Sequence, residues 1–157
     1  MVRNLGIATQ AVQLHGRASG DDRYWLQLRA FDKQTDPGRL DTLTGGLVAN
    51  AEILEQTLER ETQEEAGLSI STLLNVECRG CFTLRRPVED GGSYGFMVET
   101  VYAWHCVIPE AVKPCNLDGE VAQFVMLSDA QIDDAILQGE ITLEAAVAIA
   151  LCRGYAG

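Results

Sequence analysis

The sequence predicts an α/β sandwich in a single domain covering residues 1–157, and three observations carry that expectation. A chain of 157 residues has room for one core of ordinary size and is short for two. Segments of strand-like alternation precede and follow one central segment of helical periodicity, and two more helical segments close the chain. That mixed order fits helices packed on a sheet better than a bundle or a barrel.

Taken in order, residues 5–15 are apolar with small polar interruptions, and residues 24–29 alternate, with Leu26 and Leu28 on one face and Trp25, Gln27 and Arg29 on the other. Both segments read as strands. The stretch 31–42, with Asp36-Pro37-Gly38 inside it, has turn chemistry and reads as an exposed loop. Asn50 is placed to cap a helix over about 51–66, and Gly67 sits where a helix C-terminal glycine belongs. Residues 73–87 and 96–108 read as strands joined by a glycine-rich hairpin turn over 89–95, with Arg79, Thr83 and Arg85 on one face. A shorter strand follows at 121–127. Ser128 and Gln131 form a capping box for a helix to about Leu137, and Thr142 caps the last one.

Composition narrows the function. Apolar residues at 46% and charged residues at 22% are ordinary for a folded domain and exclude a largely disordered chain. Acids outnumber Lys plus Arg by 23 to 12, so the basic stripe that a nucleic-acid binder needs is missing, as is a basic membrane-surface helix. The longest apolar stretch, 145–152, is bounded by Glu144 and Arg153 and falls short of the ~18 residues of a membrane span. The first residues lack the pattern of a secretory signal, so the expected location is the cytoplasm. The sequence leaves a homodimer open.

Five cysteines without an export pattern suggest reduced thiols. Cys78 and Cys81 have metal-site spacing, but residues three apart on a strand face opposite ways and no second pair exists, so small apolar strand positions are expected and not a zinc site. His15 and His105 lie singly in strands and read as structural.

The informative segment is the central helix. At about 100° per residue, Glu61, Glu64 and Glu65 fall within an arc of about 100°. A run of charge usually marks a solvated face, but Leu54 and Leu58 project at about 20° and 60° from Glu61 on the same wheel. The acids therefore continue the apolar stripe and turn toward the protein body. Like charges crowded beside a core are costly unless neutralised, and a hard divalent cation with oxygen ligands neutralises them directly. Arg60, beside Glu64, is placed to orient the cluster or to form an ordinary intrahelical pair.

Read as a motif, residues 46–68 combine Gly46, Glu52, Arg60, Glu61, Thr62, Glu64, Glu65, Gly67 and Leu68 at spacings that closely resemble the Nudix box. Thr62 departs from it, since the family prefers an aliphatic residue there. The resemblance implies a Nudix-type α/β/α sandwich with a mixed sheet and a Mg²⁺- or Mn²⁺-dependent hydrolase of phosphoric anhydride bonds. It also implies that Glu61, Glu64 and Glu65 are metal ligands, one of them doubling as general base, with the Gly45 carbonyl in the same shell. Glu52 and Arg60 resemble the pair holding the loop to the helix, and Glu120 resembles the acid that many members draw from a later loop.

A second likeness lies upstream. Arg29, Lys33, Pro37-Gly38, Leu40-Asp41 and Gly45-Gly46 are similar in spacing to the Nudix branch associated with thiamine pyrophosphokinase, which implies an oxidised thiamine diphosphate as substrate. A nucleoside diphosphate derivative such as ADP-ribose is the alternative, as is a non-catalytic metabolite-binding module. Isopentenyl diphosphate isomerase chemistry needs a cysteine near residues 44–46, where none stands. Arg29, Lys33, Arg85 and Arg86 are the candidates for phosphate charge, and Trp25 for a stacking surface, although a core role suits a tryptophan as well.

Overall fold

The computed structural model describes residues 8–90 and 92–155. Seven strands form one mixed sheet: β1 (Thr9–Ala18), β2 (Tyr24–Arg29), β3 (Leu40–Asp41), β4 (Thr44–Leu47), β5 (Leu74–Asp90), β6 (Ser93–Ile108) and β7 (Val121–Leu127). The predicted strand over 5–15 runs instead from Thr9 to Ala18, and its residues 5–7 lie outside the described residues. β1 pairs in parallel with β6 along its whole length, while the other pairings are antiparallel. On its second edge β1 changes partner: Ala11 to Leu14 pair with β4, and Gly16 and Arg17 pair with β2. β7 then covers the far edge of β2.

Alternation along these strands sorts side chains onto two faces. On one face Val12, Leu14 and Ile108 meet Leu58 and Ala66 of helix α1 (Leu54–Ala66). On the other, Leu26 meets Ile132 and Ala135 of α2 (Asp129–Leu137) and Ala145 and Ile149 of α3 (Leu143–Cys152). The result is three layers, an α/β/α sandwich with one helix on one side and two on the other. Among the described residues no helix is long and apolar enough to cross a membrane.

The caps of the last two helices form at Ser128, whose Oγ accepts from the Gln131 N–H at 3.3 Å, and at Thr142, whose Oγ1 accepts from the Ala145 N–H at 3.2 Å. The first helix starts later than predicted. Asn50 does not cap it; Ala51 takes a left-handed conformation at φ 68°, Ile53 is the cap residue, and Gln56 reaches back to accept from the Ile53 N–H at 3.0 Å. Leaving Glu52 outside the helix frees its carboxylate to tie loop to helix. The predicted exposed loop over 31–42 contains β3, and the hairpin turn predicted over 89–95 is shorter, because β5 and β6 pair up to Asp90 and Ser93.

One face assignment is corrected. β5 bulges between Cys78 and Gly80, so Cys78 and Cys81 pair with Trp104 and Tyr102, which are two apart. The extra residue restores phase and puts both cysteines on the same face, where both are exposed. Arg79 lies in that bulge, while Thr83 and Arg85 stay together opposite Thr100 and Val98. His15 is buried and stacked on Tyr24 at a ring-centroid distance of 4.3 Å, and burial pushes its pKa down to about 3, keeping it neutral.

Helix α1 ends on Gly67 at φ 65°, where a Cβ would also lie 2.7 Å from the Cys115 sulfur. Gly67→Ala is expected to cost about 1–3 kcal/mol of stability in urea unfolding. Gly139→Ala, at φ 71° with nothing within 4 Å of a Cβ, carries the backbone strain alone and is expected to cost less.

Candidate active site

The site is built where β1 changes partner. Because β4 and β2 share one edge of β1, the chain between β3 and β4 crosses a gap, and a cleft of about 570 Å³ opens there. Gly45 and Gly46 line its floor. At Gly45 a Cβ would meet the Gln13 side chain at 2.7 Å and the Val12 carbonyl at 3.1 Å, and at Gly46 it would fall 2.1 Å from the Glu61 carboxyl carbon. Two glycines are required for β4 to run this close to β1 and α1.

Helix α1 presents its acids to this floor at graded depth. Glu65 is buried at 4% exposure, and its Oε2 accepts from the Gly45 N–H at 2.9 Å and from Gln27 Nε2 at 3.1 Å. Burial, reinforced by the charges of Glu61 and Asp41, pushes its pKa up to about 8 despite those two donors. Glu61 is half-buried and pushed up in the same direction by burial, while its contact with Arg60 opposes the shift. Glu64 stands at the rim with half its side chain exposed. Between Glu61 and Gly67 the helix buries Thr62, whose Oγ1 lies 3.2 Å from Thr44 Oγ1. The polar residue at the motif's aliphatic position is thus paired with a second hydroxyl.

Arg60 ties the assembly together. Its Nε and Nη2 donate to Glu52 at 2.8 and 3.0 Å, its Nη2 also donates to the Leu47 carbonyl at 3.1 Å, and its Nη1 donates to Glu61 at 2.7 Å and Glu64 at 3.3 Å. Glu52 further accepts from Thr57 Oγ1 and the Ala49 N–H, and the Arg60 contact foremost holds its pKa down to about 2.

The opposite wall comes from the segment after β2. Arg29 donates to Asp41 at 3.2 Å and clasps the Thr35 carbonyl through Nε and Nη2 at 3.2 and 2.9 Å. Lys33 is paired with Glu120, from the loop before β7. Glu99 of β6 is buried at 3% exposure and accepts from Thr9 Oγ1 at 3.3 Å.

The residue match decides the family, because a model described as the NUDIX domain fits residues 11–148. The chain belongs to the Nudix family. Among curated proteins it is similar to Nudix hydrolase 20, chloroplastic, of Arabidopsis thaliana, 29% identical over 133 residues that make up 83% of this chain and 34% of that protein. The chain spans about a third of the length of the curated relatives it matches. In fold it resembles the NUDIX domain of Shewanella oneidensis NrtR complexed with ADP ribose, at TM-score 0.65 and 14% identity, covering 94% of this chain and 87% of that one. It also resembles a bifunctional NMN adenylyltransferase/ADP ribose pyrophosphatase from Francisella tularensis, at TM-score 0.69 and 14% identity, covering 97% of this chain and 42% of that one.

On this Nudix fold, the cleft gathers Gly45, Arg60, Glu61, Glu64, Glu65, Arg29, Lys33 and Glu120. Three candidates fall elsewhere. Trp25, partly buried, packs against the core on the α1 side and lines a second cavity of about 290 Å³ with Ile108 and Met126. It shares a strand face with Arg29 but lies four residues back toward the core. Arg85, exposed and opposite Val98, points away from the cleft; Arg86 takes the other face by alternation and pairs with Glu144 at the cleft wall, without lining the cleft itself. Sequence reasoning missed Gln13, Asp41, Glu99 and Glu144 as lining residues. Glu99 had a signal, as an acid between Met97 and Val101 on the buried face of a strand.

A hard cation suits this donor chemistry. Among the described lining residues carboxylates outnumber cations by nine to three, all the acids offer oxygen, and Gly46 makes the room that the Glu61 carboxyl occupies against β4. Among the described residues no three candidate ligands are gathered closely enough to enclose an ion as they stand, and Glu61 and Glu64 are both drawn onto Arg60.

A carboxyl whose pKa is raised on folding favours the folded state below its unfolded value and loses that advantage as pH rises. For Glu65 the window runs from 4.5 to about 8. In metal-free protein, Glu65→Gln is therefore expected to raise the melting temperature at pH 8 and to flatten its decline between those limits, as read by thermal unfolding across pH. An unchanged profile would remove the burial argument.

Proposed function

We propose that this Nudix domain is a divalent-metal-dependent hydrolase that cleaves a phosphoric anhydride bond in an organic diphosphate. The observation that carries the reading is Glu65, an acid sunk into the floor of an acid-rich cleft beside Glu61, with only neutral donors on its oxygen. Such a group calls for a cation, and an anionic diphosphate entering this cleft calls for the same one.

Glu61, Glu64 and Glu65, with the Gly45 carbonyl, are the residues that would hold Mg²⁺ or Mn²⁺. When bound, the ion neutralises the phosphate charge and activates a water toward phosphorus. The chain's own residues do the rest. Glu52 and Leu47 hold Arg60, and through it the loop, so that the acids keep their places on α1. Gly45 N–H and Gln27 fix Glu65. One of the three carboxylates accepts the proton of the attacking water, and Arg29 and Lys33 supply positive charge on the opposite wall. None of the described residues lining the cleft is aromatic, so the organic group is held by polar contacts more than by stacking.

Two organic groups are in contention. The similar folds named above, one complexed with ADP ribose and one an ADP ribose pyrophosphatase, support a nucleoside diphosphate derivative. The likeness of residues 29–46 to the thiamine-associated branch supports an oxidised thiamine diphosphate, and Arg29, Lys33, Asp41, Gly45 and Gly46 of that stretch do line the cleft.

Glu65→Gln is expected to lower turnover by two or more orders of magnitude, on the order of a catalytic ligand's loss, while circular dichroism reports an intact fold. Near-wild-type turnover would sink the site assignment. For the substrate, kcat/KM for ADP-ribose should exceed that for oxidised thiamine diphosphates by about tenfold or more, a difference worth about 1.4 kcal/mol. The reverse order would favour the thiamine reading, and metal-dependent binding without product would mark a non-catalytic module.

A further inference from the structure

Lys33 and Glu120 face each other across the mouth of the cleft, and the backbone sets that meeting before the side chains do. The Ala30 N–H donates to the Glu120 carbonyl at 3.0 Å, joining the two loops directly. Each loop is wound on its own: Lys33 N–H donates to the Ala30 carbonyl at 3.2 Å and Arg29 clasps Thr35, while Glu120 N–H donates to Asp118 at 2.9 Å and Gly119 N–H to Asn116 at 3.0 Å. The Lys33–Glu120 ion pair is therefore not needed to hold the loops together. Its members are 24% and 49% exposed, a setting in which an ion pair contributes little to stability and parts readily. Both residues line the same cleft as the α1 acids, and the Glu120 charge is felt at Glu61.

We propose that Lys33 and Glu120 form a charge latch: without a cation, the Lys33 ammonium supplies the positive charge at Glu120, and the two part when cation and diphosphate arrive, Glu120 turning to the cation and Lys33 to a phosphate oxygen. The proposal rests on reading the α1 acids as a cation site. It makes Lys33 a competitor of the metal in the empty cleft and a partner of the substrate in the filled one. No bond is made or broken; two ion pairs are exchanged.

The test is Mn²⁺ affinity of the full chain, measured without phosphate by calorimetry and by the electron paramagnetic resonance signal of free Mn²⁺. Lys33→Met is expected to tighten Mn²⁺ by about threefold or more, and Glu120→Gln to weaken it. The deciding measurement is the double variant: with Glu120 already neutral, Lys33→Met should change the affinity by less than about twofold, the non-additivity of a direct pair. If Lys33→Met tightens Mn²⁺ equally in both backgrounds, Lys33 repels the ion through space and the latch is overturned. The latch is also overturned if Lys33→Met leaves the affinity unchanged. Wild-type protein that binds no Mn²⁺, or a Glu65→Gln variant that binds it as tightly, would overturn both the latch and the cation site. Mn²⁺ binding that depends on Glu65, with an additive cycle, overturns the latch alone.

Discussion

The buried carboxylate of Glu65 is the constraint around which the site is organised. A carboxylate taken out of water without a counter-charge is costly, and here the groups of the described residues that donate to its Oε2 are a backbone N–H and an amide. The charges of Glu61 and Asp41 raise that cost. The surroundings meet it by geometry: β4 lies close enough for its backbone to donate, which requires glycine at Gly45 and Gly46, and Gln27 stands on the α1-facing side of β2.

The sheet topology makes such depth available. A strand paired along both edges throughout would fill the space between β3 and β4, and the acids of α1 would abut a closed surface. The change of partner along β1 leaves a gap instead, reached from α1 on one side and from Glu99 and Thr142 on the other. Charge is distributed over the gap in pairs: Arg60 with Glu52, Glu61 and Glu64, Arg29 with Asp41, and Lys33 with Glu120. Among the described lining residues each cation is already matched to an acid, and an excess of acids remains.

Particular elements mark how far the site was legible beforehand. The phase of Leu54 and Leu58 relative to Glu61 was enough to turn Glu61 and Glu65 inward, because helical periodicity is local, while Glu64 of the same arc stays exposed at the rim. The spacing of Gly46, Glu52, Arg60 and the three glutamates carried the family for the same reason. Trp25 takes the core role and Arg85 lies off the cleft, which alternation could not decide, because it tells which face a residue occupies and not which end of the strand lies over the cleft. Cys78 and Cys81 changed face because a bulge inserts one residue without leaving a clear mark in a strand-like run. Glu99 was overlooked since it acquires its neighbour Thr9 from a strand ninety residues away in sequence.

What the sequence determined by itself was the alternation of the strands, the helix with Glu61 and Glu65 turned inward, the caps at Ser128 and Thr142, and the glycines at the foot of the helix. Each depends on residues within a turn or two of one another. The tertiary structure decided the parallel pairing of β1 with β6, the gap beside β4, the depth of Glu65 and the meeting of Lys33 with Glu120. Those depend on segments brought together only when the two cores close, where burial sets the cost of a charge and position along a strand sets its company.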